Sequence, residues 1–429
     1  MTYHNAIKFI KNAPNISPCE SSVFDRMSTL FGALGNPQKR IKYIRLAGSN
    51  GKTLCAGMLV SILNSAKISN GCLSMPIHAD IRDNVLIDGN PIGMDDIVKY
   101  VTTVRDAVTE INKSKTDSQT GVFMPTVHEI LLCIALLAFT EHMCKICIIE
   151  SDHNGEDPSK ILPAPLAAVI CGSIPCEDKD KRDIYKIRSY ICRGMREIIS
   201  APQNTDAYKI IADTCSNVNC RLTLASKNNV SITRLTLRGT EFKYKNSDYS
   251  LRICGNFQVI NALVAIESAE MLTRLGYPIK KSDIHRGLAT VSAPCKFEIL
   301  SLSPVIIADS TYTPIAIEAV CDSLSDFKSI TGSSVRLCLP YGELITQYTD
   351  ALSKRGYTIE NIFSLRSDGS AENNPICHAH VNIFSNVKST AKSVIAGLDK
   401  NTVLLISGPI NFTRPLRYEL LGIMGLGGI

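Results

Sequence analysis

Six residues, Gly48-Ser49-Asn50-Gly51-Lys52-Thr53, constrain this chain more than any other stretch. They follow a short apolar run, Ile41 to Ala47, and open a helical pattern from Lys52 to Ala66 with apolar residues at Leu54, Met58, Leu59 and Ile62. Strand, glycine turn, helix is the setting of a phosphate loop. Glycines let the backbone turn tightly and bring its N–H groups onto phosphate oxygens, and the helix N-terminus adds positive potential. In such a loop Lys52 neutralises the β- and γ-phosphates of ATP and the Thr53 hydroxyl ligates Mg2+. The general form has a glycine five residues before Gly51; here that position is Leu46, and the first glycine is Gly48.

The rest of the chain repeats the alternation. A helix is expected over Val127 to His142, then buried-strand runs at Lys145 to Glu150 and Leu166 to Cys171. Arg182 to Ile199 reads as a helix and Tyr208 to Ala212 as a strand. Ser231 to Ile253 changes character: its alternation, rich in Thr, Tyr and Arg, suggests antiparallel hairpin strands. Helices follow at Asn256 to Leu275 and Ser282 to Leu288. From Val305 the α/β alternation restarts, with strands expected at Val305 to Ala308, Val335 to Leu339, Ile362 to Leu365, His380 to Phe384 and Val403 to Ile406. Arg366 to Asn374 reads as a polar surface loop. Strands alternating with helices imply a parallel sheet covered on both faces. The expected division is 1–293 and 294–429, with Pro294 rigidifying the junction.

Composition narrows the function classes. At 429 residues the chain is too long for one typical domain. Its net charge of +6 is small and no Lys/Arg block carries it, so nucleic acid is not an expected partner, whereas small anions are. Sixteen cysteines suggest disulfides, but a chain this large needs no staples, and the cysteines lie within apolar runs such as Leu131-Leu132-Cys133-Ile134. Cys144 and Cys147 have zinc-like spacing without a second pair. No stretch is apolar over the ~18 residues of a membrane span, and Met1 to Pro14 lacks the apolar core of a signal peptide. A cytoplasmic protein with reduced thiols, and no membrane partner, is expected.

The loop has the form G-[ST]-N-G-K-[TG], and further segments accompany it in order. They are Leu34-Gly35-Asn36-Pro37-Gln38, Asp88-Gly89-Asn90-Pro91-Ile92, Thr126 with Glu129, Ile199-Ser200-Ala201-Pro202-Gln203, Gly255-Asn256-Phe257-Gln258 with Asn261-Ala262, Pro294 to Glu298, and Val305 to Pro314. From about residue 30 to 320 this series resembles the Mur ligase superfamily, in particular its folylpolyglutamate synthase/dihydrofolate synthase branch. The resemblance implies a P-loop Mur ligase central domain with a parallel sheet plus a small antiparallel sheet, followed by a smaller Rossmann-like C-terminal α/β domain. It implies an ATP- and Mg2+-dependent amide ligase that joins glutamate to a folate-like carboxylate through an acyl phosphate, acting as a monomer. Alternatives are a catalytically degenerate paralogue that binds nucleotide, and a ligase with another carboxylate acceptor.

Carried over by position, the resemblance assigns nucleotide contacts to Gly48, Ser49, Asn50, Gly51, Lys52, Thr53, Asn261, Lys296 and Asp309. It assigns metal binding to Thr53, Glu150 and Asp178, and catalytic roles to Lys52 and Arg188. Several family positions differ. Where the family has a glycine-rich stretch after its metal-binding Glu, residues 151–158 read S-D-H-N-G-E-D-P. Its Asp-His pair falls on Glu177-Asp178, its carbamylated lysine on Arg188, and its "P-G-R" arginine on Lys296. The turn "D-G-A-H-N-P" is reduced to Asp309 and Pro314 at its ends, and the "S-P-H" substrate turn to Ser74-Met75-Pro76 with His78 displaced.

Overall fold

The computed structural model describes the chain except residues 17–21, 49, 76, 79, 115–121, 152–157, 175–184, 186, 328–329, 331–333, 366–380 and 427–429. Its internal contacts define two compact units, Met1–Asn228 with Ile260–Leu288, and Asn229–Val259 with Ala289–Ile429.

The first unit opens with two helices, α1 (Tyr3–Lys11) and α2 (Val23–Ala33). Then come β1 (Tyr43–Gly48), α3 (Lys52–Ser65), β2 (Asn70–Leu73), β3 (Val85–Ile87), β4 (Asn90–Pro91), α4 (Met94–Ser114), α5 (Val127–Glu141) and β5 (Ile146–Glu150). β6 (Ala167–Cys171), β7 (Glu197–Ser200), α6 (Thr205–Val218) and β8 (Arg221–Leu224) follow. Most of α7 (Asn256–Arg274) and of α8 (Lys281–Thr290) also belongs here. The eight strands are ordered β4-β3-β2-β5-β1-β6-β7-β8. Only β3 and β4 run antiparallel to their neighbours. β1, β5 and β6 are buried along their whole length, as strands covered on both faces by helices must be. β1 lies at the centre, and the chain continues on opposite sides of it, to β2 and to β6. Such a reversal leaves a crevice at the carboxyl ends of the strands.

Local chemistry sets the edges of these elements. Asp88 and Gly89, at φ 48° and 78°, form the tight β3–β4 turn, the left-handed pair a two-residue hairpin favours. Thr126 and Glu129 form a capping box at the start of α5: the Thr126 N–H donates to Glu129 (2.8 Å) and the Glu129 N–H to the Thr126 hydroxyl (3.2 Å). Arg26 on α2 donates to the same carboxylate through Nε (3.1 Å) and Nη2 (2.9 Å), with both side chains almost fully buried.

In the second unit β9 (Val230–Thr236), β10 (Gly239–Tyr244) and β11 (Ser247–Leu251) make a small antiparallel sheet. Phe242, Tyr244, Tyr249 and Leu251 are buried from one of its faces, the period of two expected of half-covered strands. A larger sheet is built from β12 (Glu298–Leu302), β13 (Val305–Asp309), β14 (Ser334–Pro340), β15 (Ile359–Leu365), β16 (Val381–Phe384) and β17 (Thr402–Ser407). Their order is β12-β13-β17-β14-β15-β16, with β12 antiparallel and the rest parallel. α9 (Pro314–Ser325), α10 (Glu343–Lys354), α11 (Val387–Ile395) and α12 (Ile410–Ile423) cover it. Each unit has its own apolar clusters, one around α4 and α5 in the first and one around Val335, Leu337 and Tyr348 in the second.

Two expectations fail. Tyr208 to Ala212 is not a strand but the middle of α6. The Asn204 side chain caps that helix through the Ala207 N–H at 2.8 Å, and Ala207, Ile211 and Cys215 are buried at a spacing of four. Tyr208 to Ala212, five residues with Lys209 among them, is too short to separate the two states; the cap does. The helix expected over Arg182 to Ile199 does not reach its end either. Glu197–Ser200 is β7, fully buried and parallel to β6, and Gly194 (φ 92°) turns the chain into it. The expected loop at Arg366 to Asn374 lies outside the described residues. All described cysteines are free thiols. No described helix is long and apolar enough to cross a membrane.

Candidate functional site

β1 delivers the chain to the carboxyl edge of the first sheet, where two glycines shape the turn into α3. Gly48 has φ 109°, and a Cβ there would lie 2.1 Å from the Cys171 carbonyl oxygen at the end of β6. Gly51 has φ 83°, and a Cβ there would lie 2.3 Å from Asn261 Oδ1 on α7. Conformation and space both require glycine at these two positions. No side chain caps α3 and no acid lies in its first turn, so the helix itself supplies no anion to its positive end. Lys52, its first residue, is buried, and its ammonium donates to the Gly48 carbonyl at 3.1 Å. Asn50 is exposed beside it, and Ser49 lies outside the described residues.

β5 brings Glu150 to the same edge, in register with Leu46 of β1. Its carboxylate is 2% exposed; Oε2 accepts from the Thr53 hydroxyl at 3.2 Å and from the Met75 N–H at 3.4 Å. A hydroxyl and a carboxylate are hard oxygen donors, the kind Mg2+ prefers, and Mg2+ usually keeps several waters and needs only one or two protein ligands. The donor set therefore fits that ion. Asp178, the third expected ligand, lies outside the described residues, and no group of three or more His, Cys, Asp or Glu among the described residues could hold a metal. Thiols nearby offer no competing chemistry. Burial, and then the Glu150 charge, push Cys72 far above its ordinary value, and a hydrogen bond with Cys171, followed by burial, does the same to Cys55.

Beyond Glu150, Ser74 is buried and its hydroxyl lies 3.3 Å from His78 Nε2, so the displaced histidine still reaches the serine of the turn. Asn84 ties the segment together, donating to the Ser74 carbonyl (2.8 Å) and accepting from the His78 N–H (2.9 Å). Arg188 is exposed on a short helical stretch, its carbonyl accepting from the Ile191 N–H.

In the second unit Asp309 ends β13 and is 2% exposed. Its Oδ2 accepts from the Phe297 N–H (2.7 Å) and its Oδ1 from the Thr311 N–H (2.8 Å). Burial raises its pKa, while the Thr311 hydrogen bond, the Lys296 charge and the Phe297 N–H pull it back down. Lys296, half-buried, lies between Cys295 and Phe297, which adopt φ 59° and 52°, a conformation L-residues rarely take. The turn is pinned from both sides. Asp309 holds Phe297, and Glu298 accepts from the Cys295 N–H (2.9 Å) while pairing with Arg417 through Nε (2.6 Å) and Nη2 (2.7 Å).

The structure thus gathers Gly48, Gly51, Lys52, Thr53, Glu150 and Asn261 at one edge of the first sheet, and Lys296 with Asp309 in the second unit. Two contributors escaped sequence reasoning, the Met75 N–H and the Cys171 carbonyl. Both act through backbone atoms brought in by other strands, and no side-chain identity marks them.

No family model matches the chain. Its homologues are named folylpolyglutamate synthase or dihydrofolate synthase. The folylpolyglutamate synthase of Lacticaseibacillus casei is 24% identical over 348 residues, 77% of this chain and 78% of that protein. The dihydrofolate synthase/folylpolyglutamate synthase of Mycobacterium tuberculosis is 25% identical over 337 residues, 72% of this chain and 68% of that protein. A solved FPGS–AMPPCP–folate complex matches 98% of this chain and all of that chain with a TM-score of 0.77 at 18% identity. The fold is that of these folylpolyglutamate synthase structures, the Mur ligase fold.

Proposed function

We propose that this protein is an ATP- and Mg2+-dependent carboxylate–amine ligase that adds glutamate to a folate-like acceptor. The observation that carries the reading is the meeting of Thr53 and Glu150 at 3.2 Å beside a glycine loop closed by Lys52. The homologues' names, and the AMPPCP and folate bound in a solved structural neighbour, supply the substrate classes.

A carboxylate and an amine do not condense at neutral pH without activation. In the proposed reaction the acceptor carboxylate takes the γ-phosphoryl group of ATP and ADP leaves. The glutamate amine then attacks the acyl carbon, phosphate leaves, and the amine's surplus proton goes to solvent. No covalent bond to the protein forms, so its task is alignment and charge neutralisation. The N–H groups at the start of α3 and the Lys52 ammonium would hold the phosphates, Lys52 exchanging the Gly48 carbonyl for a phosphate oxygen. Thr53 and Glu150, with Asp178, would hold Mg2+, which supplies positive charge against the transferring phosphoryl group. Asn261, against Gly51, would fix the loop and contact the nucleotide. Lys296 and Asp309 carry the nucleotide contacts implied for the second unit. Arg188 would supply a fixed positive charge where the family has a carbamylated lysine. The boundary between the ATP-binding and C-terminal domains is placed near residue 293, and the protein acts as a cytoplasmic monomer.

The test is ADP release by the purified protein with Mg-ATP and tetrahydrofolate, with and without glutamate. Glutamate-dependent release is expected, falling by about 100-fold or more in Lys52→Ala. Release that ignores glutamate, or a rate indifferent to Lys52→Ala, would overturn the reading.

A further inference from the structure

The first unit carries a second concave site at the opposite edge of its sheet. A cleft of about 510 Å3 opens at the amino ends of the strands, lined by Arg40, Lys42, Lys145, Arg196, Leu166 and Tyr277 among others. Lys42, Lys145, Leu166 and Arg196 immediately precede β1, β5, β6 and β7, which are successive neighbours in the sheet. Phosphate loops and strand-end carboxylates occupy the carboxyl edge, so this cleft lies outside the site described above. Its volume is that of a small-molecule pocket.

Three features distinguish it from an ordinary solvated face. First, four cations line it and, among the described residues, no carboxylate does. Second, none of the four side chains makes a hydrogen bond or ion pair with any residue among those described, whereas other exposed cations do, such as Lys99 with Glu141 and Lys113 with Glu110. Like charges on one concave floor repel unless an anion joins them. Third, the floor is rigid. The Lys42 carbonyl accepts from the Cys147 N–H (2.8 Å), Lys145 N–H donates to the Ser69 carbonyl (2.9 Å), Leu166 N–H to the Tyr43 carbonyl (2.8 Å) and Arg196 N–H to the Leu166 carbonyl (3.0 Å). The Tyr277 hydroxyl, from the turn after α7, donates to the Lys145 carbonyl at 3.3 Å. Only the ends of the cationic side chains remain to be ordered by a ligand.

We propose that this cleft binds a small, multiply charged oxyanion. Neighbouring strands lie about 4.8 Å apart, so Lys145 and Arg196 emerge about 14 Å from one another with Lys42 between them. A single phosphate spans only part of that floor; anionic groups in series reach all of it. Arginine forks suit phosphate and carboxylate equally, so the ligand is a chain of phosphates or of carboxylates. The inference does not rest on the proposed ligase activity.

The experiment is calorimetric titration of the full chain at 0.15 M salt with inorganic tripolyphosphate and, separately, with triglutamate. Lys52→Ala is present throughout to silence the phosphate loop. Binding of at least one probe is expected, weakened by about tenfold or more when Lys145→Glu and Arg196→Glu are combined, since two charge-assisted contacts are lost. Tripolyphosphate alone would identify a phosphate-bearing ligand, and triglutamate alone a polycarboxylate. Lys145→Gln with Arg196→Gln, which removes charge without reversing it, should give an intermediate loss. Both substituted residues are exposed, so the melting temperature should be unchanged. Absence of binding by both probes, or binding indifferent to both double variants, would overturn the proposal.

Discussion

Asp309 and Lys52 illustrate how much of a residue's role a sequence can hold. Lys52 was legible because its work is local: strand, glycines and helix stand within six residues of it. Asp309 was legible only as a strand end matched by resemblance, whereas its burial and its two backbone donors, Phe297 and Thr311, come from the folded turn. Replacing it with Asn would turn an amide N–H2 toward one of those N–H groups and leave a buried donor unsatisfied. Asp309→Asn should therefore destabilise the protein by about 1–3 kcal/mol, read as a lowered melting temperature. The difference has a pH signature. Burial raises the folded pKa of Asp309 above its ordinary 3.8. A raised carboxyl contributes stability that is present below the unfolded value and lost as pH rises through the folded one. The wild type's advantage over Asp309→Asn should shrink as pH rises from about 4. An advantage that widens with pH would mean that Lys296 and the two N–H donors outweigh burial.

At the scale of elements, periodicity and caps explain what was and was not legible. β1, β5, β6 and α5 were readable because length and flanks arbitrate where periodicity does not: the three strand-length apolar runs are bounded by turns or polar residues, and the α5 run is too long for a strand. α6 was not, because Tyr208 to Ala212 is too short to show a period, while its start signal at Asn204 lies outside the run. The Thr126–Glu129 pair was readable as a family marker, and the structure shows what it does: it starts α5. Its third member, Arg26, is 103 residues away in the chain, and no local pattern could name it. A buried pair that loses one partner strands a charge. Arg26→Met or Glu129→Leu alone should cost about 3–5 kcal/mol in urea unfolding, and the double substitution should recover much of that loss. Glu129→Leu also removes the cap, so its loss should exceed that of Arg26→Met by about 1 kcal/mol. Single variants within about 0.5 kcal/mol of wild type would show that the pair is not the link between α2 and α5.

Across the whole molecule, the alternation of strands and helices predicts two α/β sheets and a small antiparallel one, and these are the three sheets observed. Strand order was beyond the sequence, because it is set by which crossovers pack, not by the strands themselves; β5 inserts between β2 and β1 although it follows them by more than 70 residues. That insertion is what places Glu150 beside Thr53, so the site is a product of topology as much as of the loop motif. It also ties ligand binding to stability. A ligand that binds only the folded chain stabilises it by RT ln(1 + [L]/Kd), about 2.7 kcal/mol at a hundredfold excess over Kd. Mg-nucleotide should therefore raise the melting temperature of the wild type by a few degrees. Hydrogen-exchange protection should rise at the ends of β1 and β5 and the start of α3, where Lys52 meets Gly48 and Thr53 meets Glu150. Lys52→Ala should lose both effects. Glu150→Gln keeps the shape of the site and one acceptor oxygen while removing its charge, so it should retain a shift with nucleotide alone and lose the further increment that Mg2+ adds. If Mg2+ added as much to Glu150→Gln as to wild type, the ion would be held elsewhere, and the meeting of Thr53 with Glu150 would be a structural contact alone.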